Sequence, residues 1–165
     1  MRVVLLLPSI FFCLSVFSCS SNEKIDMNKA HNEVLSVLNS YQQAHETKNI
    51  ELLRSCFSDK PDIIILGTDE KELWVDRESL LDQQQKFYNS VDEVKLFVRD
   101  KVVKMCATGK NAWFYMKVNW IVKSGDKDLK LDNIRTTGVV NNVNDTWGIV
   151  LMHTSLPVKG QAVEY

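Results

Sequence analysis

"NAWFYMKVNWIVK", residues 111–123, decides the fold, because its side chains alternate without a break. Ala112, Phe114, Met116, Val118, Trp120 and Val122 make one wholly apolar face. Asn111, Trp113, Tyr115, Lys117, Asn119 and Ile121 make the other. A period of two is the mark of a β-strand with one face in a core. The polar face carries two large aromatics, Trp113 and Tyr115, which is more apolar surface than water contact needs. That pattern leads us to expect a homodimer through this face.

Three more long runs flank this one. "EVKLFVRDKVVKMCA" (93–107), "DLKLDNIRTTGVVNN" (128–142) and "TWGIVLMHTSLP" (146–157) are joined through "TGKN", "SGDK" and "VND". Glycine, asparagine and aspartate at these joints supply hairpin turns, so the second half of the chain reads as an antiparallel meander.

The first half reads as helices. In "NKAHNEVLSVLNSYQQAHETKN" (28–49), Val34, Leu38, Tyr41 and Ala44 recur at three-to-four spacing, with Asn28 as the expected cap. "IELLRSCF" (50–57) is a second short helix, and "DRESLLDQQQKFYNSV" (76–91) a third, capped by Asp76. Between them, "PDIIILGT" (61–68) reads as a strand closed by Gly67. Helices followed by a meander predict an α+β fold with the helices gathered on one sheet face.

Upstream of the helices, Arg2 precedes an apolar run from Val3 to Phe17 and then small polar residues. Charge, short apolar stretch and small-residue exit describe a secretory signal, and the run is too short to span a membrane comfortably. "VFSC" (16–19) resembles a bacterial lipobox, with Phe17 where a smaller residue is usual. The expectation is a signal over residues 1–18, lipidation of Cys19 and a polar tether over 19–27. The domain would then occupy 28–158 and a short tail 159–165. Acyl chains would hold the protein to the cell envelope, each buried methylene contributing about 0.8 kcal/mol. Ser20 after the cysteine favours the outer membrane by the sorting rules this resemblance implies.

Removing residues 1–18 removes only Arg2 among charges, so the net charge moves from −1 to −2. No concentrated basic face is expected, and nucleic acid is excluded as a partner. Of four cysteines, Cys13 and Cys19 belong to the leader, leaving Cys56 and Cys106 in the domain. A bridge or two buried thiols are both open, since sequence does not show whether their Cβ atoms meet.

Four stretches in order carry a family likeness: "SYQQAHETKNIELLRSCFS" (40–58), "ELWVDRESLL" (72–81), "RTTGVV" (135–140) and "TWGIVLMHTSLP". Together they resemble the nuclear transport factor 2-like superfamily in its SnoaL-like branch, over roughly residues 28–158. The resemblance implies a cone, in which a strongly curved antiparallel sheet wraps three N-terminal helices. It also implies a deep pocket at the wide end and frequent dimers through the outer sheet face. Relatives of this kind include isomerases, dehydratases, epoxide hydrolases, polyketide cyclases and a non-catalytic kinase association domain. Fold alone therefore assigns no reaction.

Simple alternation puts Trp147, Ile149, Leu151, His153 and Ser155 on one face, which the resemblance turns toward the pocket. His153 then reads either as a proton carrier or as a structural histidine bonded to a helix or to Ser155. Arg135 and Thr137 share a face that the same resemblance aims inward. Arg135 would hold a ligand's acidic group or pair with an internal acid such as Glu78 or Asp76. Tyr41 matches by position the hydrogen-donating tyrosine of ketosteroid isomerase. The carboxylates of that site fall near Gly67 and Arg135 and are missing, and Asp69 serves only if its loop bends back. Tyr41, Trp74, Tyr88 and Trp120 are either an aromatic pocket lining or ordinary core. His31, His45 and His153 have no metal-ligand spacing, so neither metal nor cofactor is expected.

The expected function is a lipid-anchored SnoaL-like domain that binds a small, partly apolar and, through Arg135, anionic molecule. Thr137, Ser155, Trp74, Tyr88 and Trp120 would complete the site. Two alternatives stand beside it. One is a lyase or isomerase that uses His153 or Tyr41 for proton transfer. The other is a dimerisation or interaction module without chemistry.

Overall fold

The computed structural model describes residues 25–60, 63–158 and 160. The expected signal, Cys19 and most of the tether lie outside these residues.

Helix α1 (Met27–Glu46) is capped two residues before the expected cap. Asp26, not Asn28, ends the chain's extended run. Its carboxylate accepts from the backbone N–H groups of Asn28 (2.9 Å) and Lys29 (3.1 Å). Aspartate satisfies two orphan donors there and complements the helix dipole. The three-to-four spacing then buries Val34, Leu38, Tyr41 and Ala44, as expected, together with Ala30. Helix α2 (Ile50–Cys56) is capped by Asn49, and α3 (Arg77–Ser90) by Asp76. Arg54 Nη1 reaches both carboxylate oxygens of Glu78, at 2.5 and 2.6 Å, tying α2 to α3. Glu78 is therefore not the partner of Arg135, and Asp76 is occupied with Ser79 at the start of α3.

One six-stranded sheet covers these helices, in the order β2-β1-β6-β5-β4-β3. Its strands are β1 (Ile64–Leu66), β2 (Leu73–Trp74), β3 (Glu93–Met105), β4 (Asn111–Ser124), β5 (Lys127–Val143) and β6 (Thr146–Ser155). Strands β3 to β6 form the expected antiparallel meander. Strand β1 joins the far edge parallel to β6, with Ile65 opposite Met152. A parallel pair needs a long crossover, which α3 and the meander provide. Strand β2 is two residues long and too short for periodicity to reveal. The apolar face of β4 packs inward as read: Ala112, Phe114, Met116 and Val118 are buried in one core with Val34 and Leu38 of α1. The fold is the expected α+β cone.

The sheet bends at three bulges, each an unmatched residue in one strand: in β3 between Val98 and Asp100, in β5 at Asp132–Asn133, and in β6 at Val150. A bulge bends its strand and shifts the side-chain alternation by one. These shifts decide which residues face the core.

Cys56 is buried, Cys106 is half-buried, and both are free, so the bridge does not form. Cys106 does not sit in apolar surroundings. Its sulfur accepts from the N–H of Asn111 at 3.2 Å and lies 3.0 Å from Thr108 Oγ1.

Candidate functional site

Between the helices and the sheet lies a cavity of about 260 Å³. Helix α1 contributes Tyr41 and His45, α2 contributes Leu53, and α3 contributes Leu80 and Phe87. Trp74 closes one side from β2, and Trp120 and Val122 line it from β4. Leu131 and Ile134 of β5, with Met152 and Thr154 of β6, complete the sheet wall. The rim is polar, with exposed Gln83 and half-buried Gln84 and Glu72. Glu72 is fixed there because its Oε2 accepts from the N–H groups of Thr68 (2.6 Å) and Asp69 (3.0 Å). Among the described lining residues it carries the one formal charge, and no lysine or arginine lines the wall.

Tyr41, Trp74 and Trp120 stand on this wall, where the resemblance puts an aromatic lining. Tyr88 does not. It lies behind the wall, 2% exposed, with its hydroxyl 3.1 Å from His45 Nδ1.

Four further site residues are corrected in their placement. Arg135 and Thr137 are exposed on the outer sheet face. Asn133 takes the extra place in β5 in the left-handed conformation, φ 58°. From there on the buried side chains are Ile134 and Thr136 rather than Arg135 and Thr137. His153 and Ser155 are displaced by the same device. Strand β6 buries Trp147 and Ile149, then slips one residue at Val150, and continues inward with Met152 and Thr154. Leu151 and His153 become exposed, and Ser155 pairs with Arg135 across the outer face. Asp69 is absent from the wall, where Glu72 stands instead.

His45 is the residue that sequence reasoning passed over. It sits one helical turn after Tyr41, so both project from the same face of α1. It is 2% exposed and boxed by aromatic rings, with centroids 4.6 Å from Tyr41, 5.7 Å from Tyr88 and 5.0 Å from Trp120. Burial pushes its pKa down to about 3, so the imidazole is neutral at ordinary pH. Burial likewise raises the Tyr41 phenol, and raises Tyr88 with added repulsion from Tyr41 and Cys56. The inner end of the cavity is therefore aromatic and uncharged, with hydrogen-bonding groups that hold their protons. The helical spacing from Tyr41 was the available sequence signal.

Among the described residues, His45 Nε2 is the buried side-chain nitrogen or oxygen with no hydrogen-bond partner. A buried polar group left unpaired costs about 1–3 kcal/mol, and such groups call for an explanation.

Solved structures of other proteins share this architecture. An NTF2-like protein from Salmonella enterica serovar Typhimurium superposes with a TM-score of 0.73 at 14% identity, over 84% of this chain and 98% of its own. A candidate dehydratase of the NTF2-like family from Streptomyces avermitilis gives 0.69 at 15%, over 79% and 98%. A candidate scytalone dehydratase from Novosphingobium aromaticivorans gives 0.70 at 12%, over 81% and 88%. At these identities the likeness shows the fold. No curated protein matches the chain. The sequence model of the SnoaL-like domain matches residues 34–159, from the middle of α1 to beyond β6, and the chain belongs to that family.

Proposed function

We propose that this protein binds a small, uncharged, largely apolar molecule in its cone cavity, and does so at the cell envelope from a lipid anchor at Cys19. One observation carries the binding reading: a neutral, buried His45 with an unpartnered Nε2 on the wall of an aromatic cavity. An apolar cavity of about 150 Å³ holds benzene, so about 260 Å³ has room for a substituted ring or a small bicyclic molecule. An acidic ligand is disfavoured. With Arg135 outside, no cation among the described residues lines the wall, and a buried carboxylate would go uncompensated.

The same groups argue against proton transfer by His45 or Tyr41. A general acid or base works best with a pKa near the operating pH. The first is held far below neutrality and the second above its ordinary value. A second reading, lyase or isomerase chemistry, is favoured by Glu72, the carboxylate on the rim, which would act as the proton acceptor. Glu72→Gln would abolish turnover and spare binding if that reading holds.

The test is a thermal-shift comparison of methyl 2-naphthoate with 2-naphthoate. The ester should raise the melting temperature and the acid should not. Arg135→Leu should change neither result, and Leu80→Trp, which fills the cavity, should erase the ester's effect. A preference for the acid that vanished in Arg135→Leu would overturn the reading.

The anchor rests on the sequence of residues 1–20. Mass spectrometry of the membrane fraction should find an acyl adduct on Cys19. A Cys19→Ala variant that stayed fully membrane-bound would count against it.

A further inference from the structure

We propose that Tyr88 fixes the tautomer of His45, so that the imidazole offers the cavity a neutral Nε2–H donor and the site selects molecules presenting an acceptor oxygen, such as a ketone or ester carbonyl. The selectivity rests on the cavity being a binding site for uncharged molecules. The tautomer does not.

Two geometries are open to the 3.1 Å contact between the Tyr88 hydroxyl and His45 Nδ1. In the first, the hydroxyl donates to Nδ1, which then has a lone pair, and the ring proton sits on Nε2. In the second, Nδ1–H donates to the hydroxyl oxygen. Tyr88 is 2% exposed and, among the described residues, has no other hydrogen-bond partner. The second geometry would strand the hydroxyl hydrogen and also leave the Nε2 lone pair unmet. The first leaves one unmet group, Nε2–H. Counting unmet groups selects the first. Tyr88 keeps its proton, since burial raises its pKa.

The Nδ1 edge of the ring is turned to Tyr88, which does not line the cavity, whereas His45 does. Nε2 is buried without a partner, and the Tyr41 and Trp120 rings that flank the imidazole line the same cavity. A ligand oxygen reaching this end would satisfy Nε2–H, and Tyr41, one turn earlier on the same helix face, lines the same cavity as a second neutral donor. Two neutral donors match the two lone pairs of one carbonyl oxygen. A hydrocarbon of the same shape satisfies neither.

The experiment uses the full chain labelled with ¹⁵N-histidine. Long-range ¹H–¹⁵N spectra distinguish the two tautomers directly. The wild type should show His45 protonated at Nε2, and Tyr88→Phe should yield a mixture. Equilibrium binding of 1-tetralone and of its hydrocarbon counterpart tetralin should then differ by about 2- to 10-fold in favour of the ketone. His45→Phe should erase that preference, a change in ratio that a merely structural role would not produce.

A wild-type spectrum with the proton on Nδ1 overturns the tautomer assignment, and it needs no variant to fold. Equal binding of the two probes overturns the selectivity, the N–H being then satisfied by the π faces of Tyr41 and Trp120. Failure of both probes to bind would instead sink the cavity reading, and the selectivity with it.

Discussion

The backbone N–H of Asn133 donates to the side-chain oxygen of Asn119 on the facing strand, at 2.9 Å. This bond seals the β5 bulge at the point where the strand turns Arg135 away from the cavity. Asparagine at φ 58° is tolerated because its short polar side chain suits the left-handed region. A β-branched residue is not. Asn133→Val should lower stability by about 1–2 kcal/mol, and Asn133→Gly should stay within a few tenths. Urea denaturation of the pair decides, and a Val variant as stable as the Gly variant would contradict the strain.

His45 should make stability depend on pH. Its folded pKa of about 3 lies below the ordinary histidine value near 6.5. The unfolded chain therefore binds a proton that the folded one refuses. Its contribution is whole above about pH 6.5 and is lost as pH falls toward 3. Between pH 6.5 and 5 the loss should be about 1.5 kcal/mol. Denaturation curves at both values should show this slope in the wild type, and His45→Gln should flatten it. An unchanged slope in the variant would assign the dependence to other groups.

Cys106 and Cys56 should react at very different rates. The Thr108 hydroxyl and the backbone N–H groups of the β3–β4 turn lower the Cys106 pKa to about 7. Burial pushes Cys56 up to about 12. At pH 7.5 iodoacetamide should label Cys106 within minutes and leave Cys56 untouched in folded protein, as peptide mapping would show. Thr108→Val should slow the reaction at Cys106. Equal labelling of the two would contradict the difference.

The outer sheet face should mediate a homodimer. Register aligns Trp113, Val139, Leu151 and Ile64 in one row across four strands. Val102, Tyr115, Thr137, His153 and Leu66 form the next row. Trp113 is 52% exposed and Ile64 44%, a contiguous apolar surface of the kind that marks an interface. Light scattering at tens of micromolar should give twice the chain mass, and Trp113→Lys with Leu151→Lys should give the monomer. A wild-type monomer would be the contrary result.

Sequence alone determined the order of the helices and of every strand but the two-residue β2, the helix faces and the inward face of β4, because these follow from local periodicity. Tyr41 and Trp120 could be named for the same reason, each lying where helical spacing or alternation runs unbroken, whereas Trp74, on a strand of two residues, rested on the family resemblance. Tertiary structure decided the rest of the site. Asn133 and Val150 each insert one residue against a neighbouring strand, and whether a residue is extra depends on a partner elsewhere in the chain. One such slip exchanges the two faces of everything after it. That exchange carried Arg135, Thr137, His153 and Ser155 to the outside and brought Thr154 to the cavity wall. His45 was visible as a letter one helical turn from Tyr41. Its burial, its neutrality and its contact with Tyr88, forty-three residues on, exist only once α1 and α3 are packed together under the sheet.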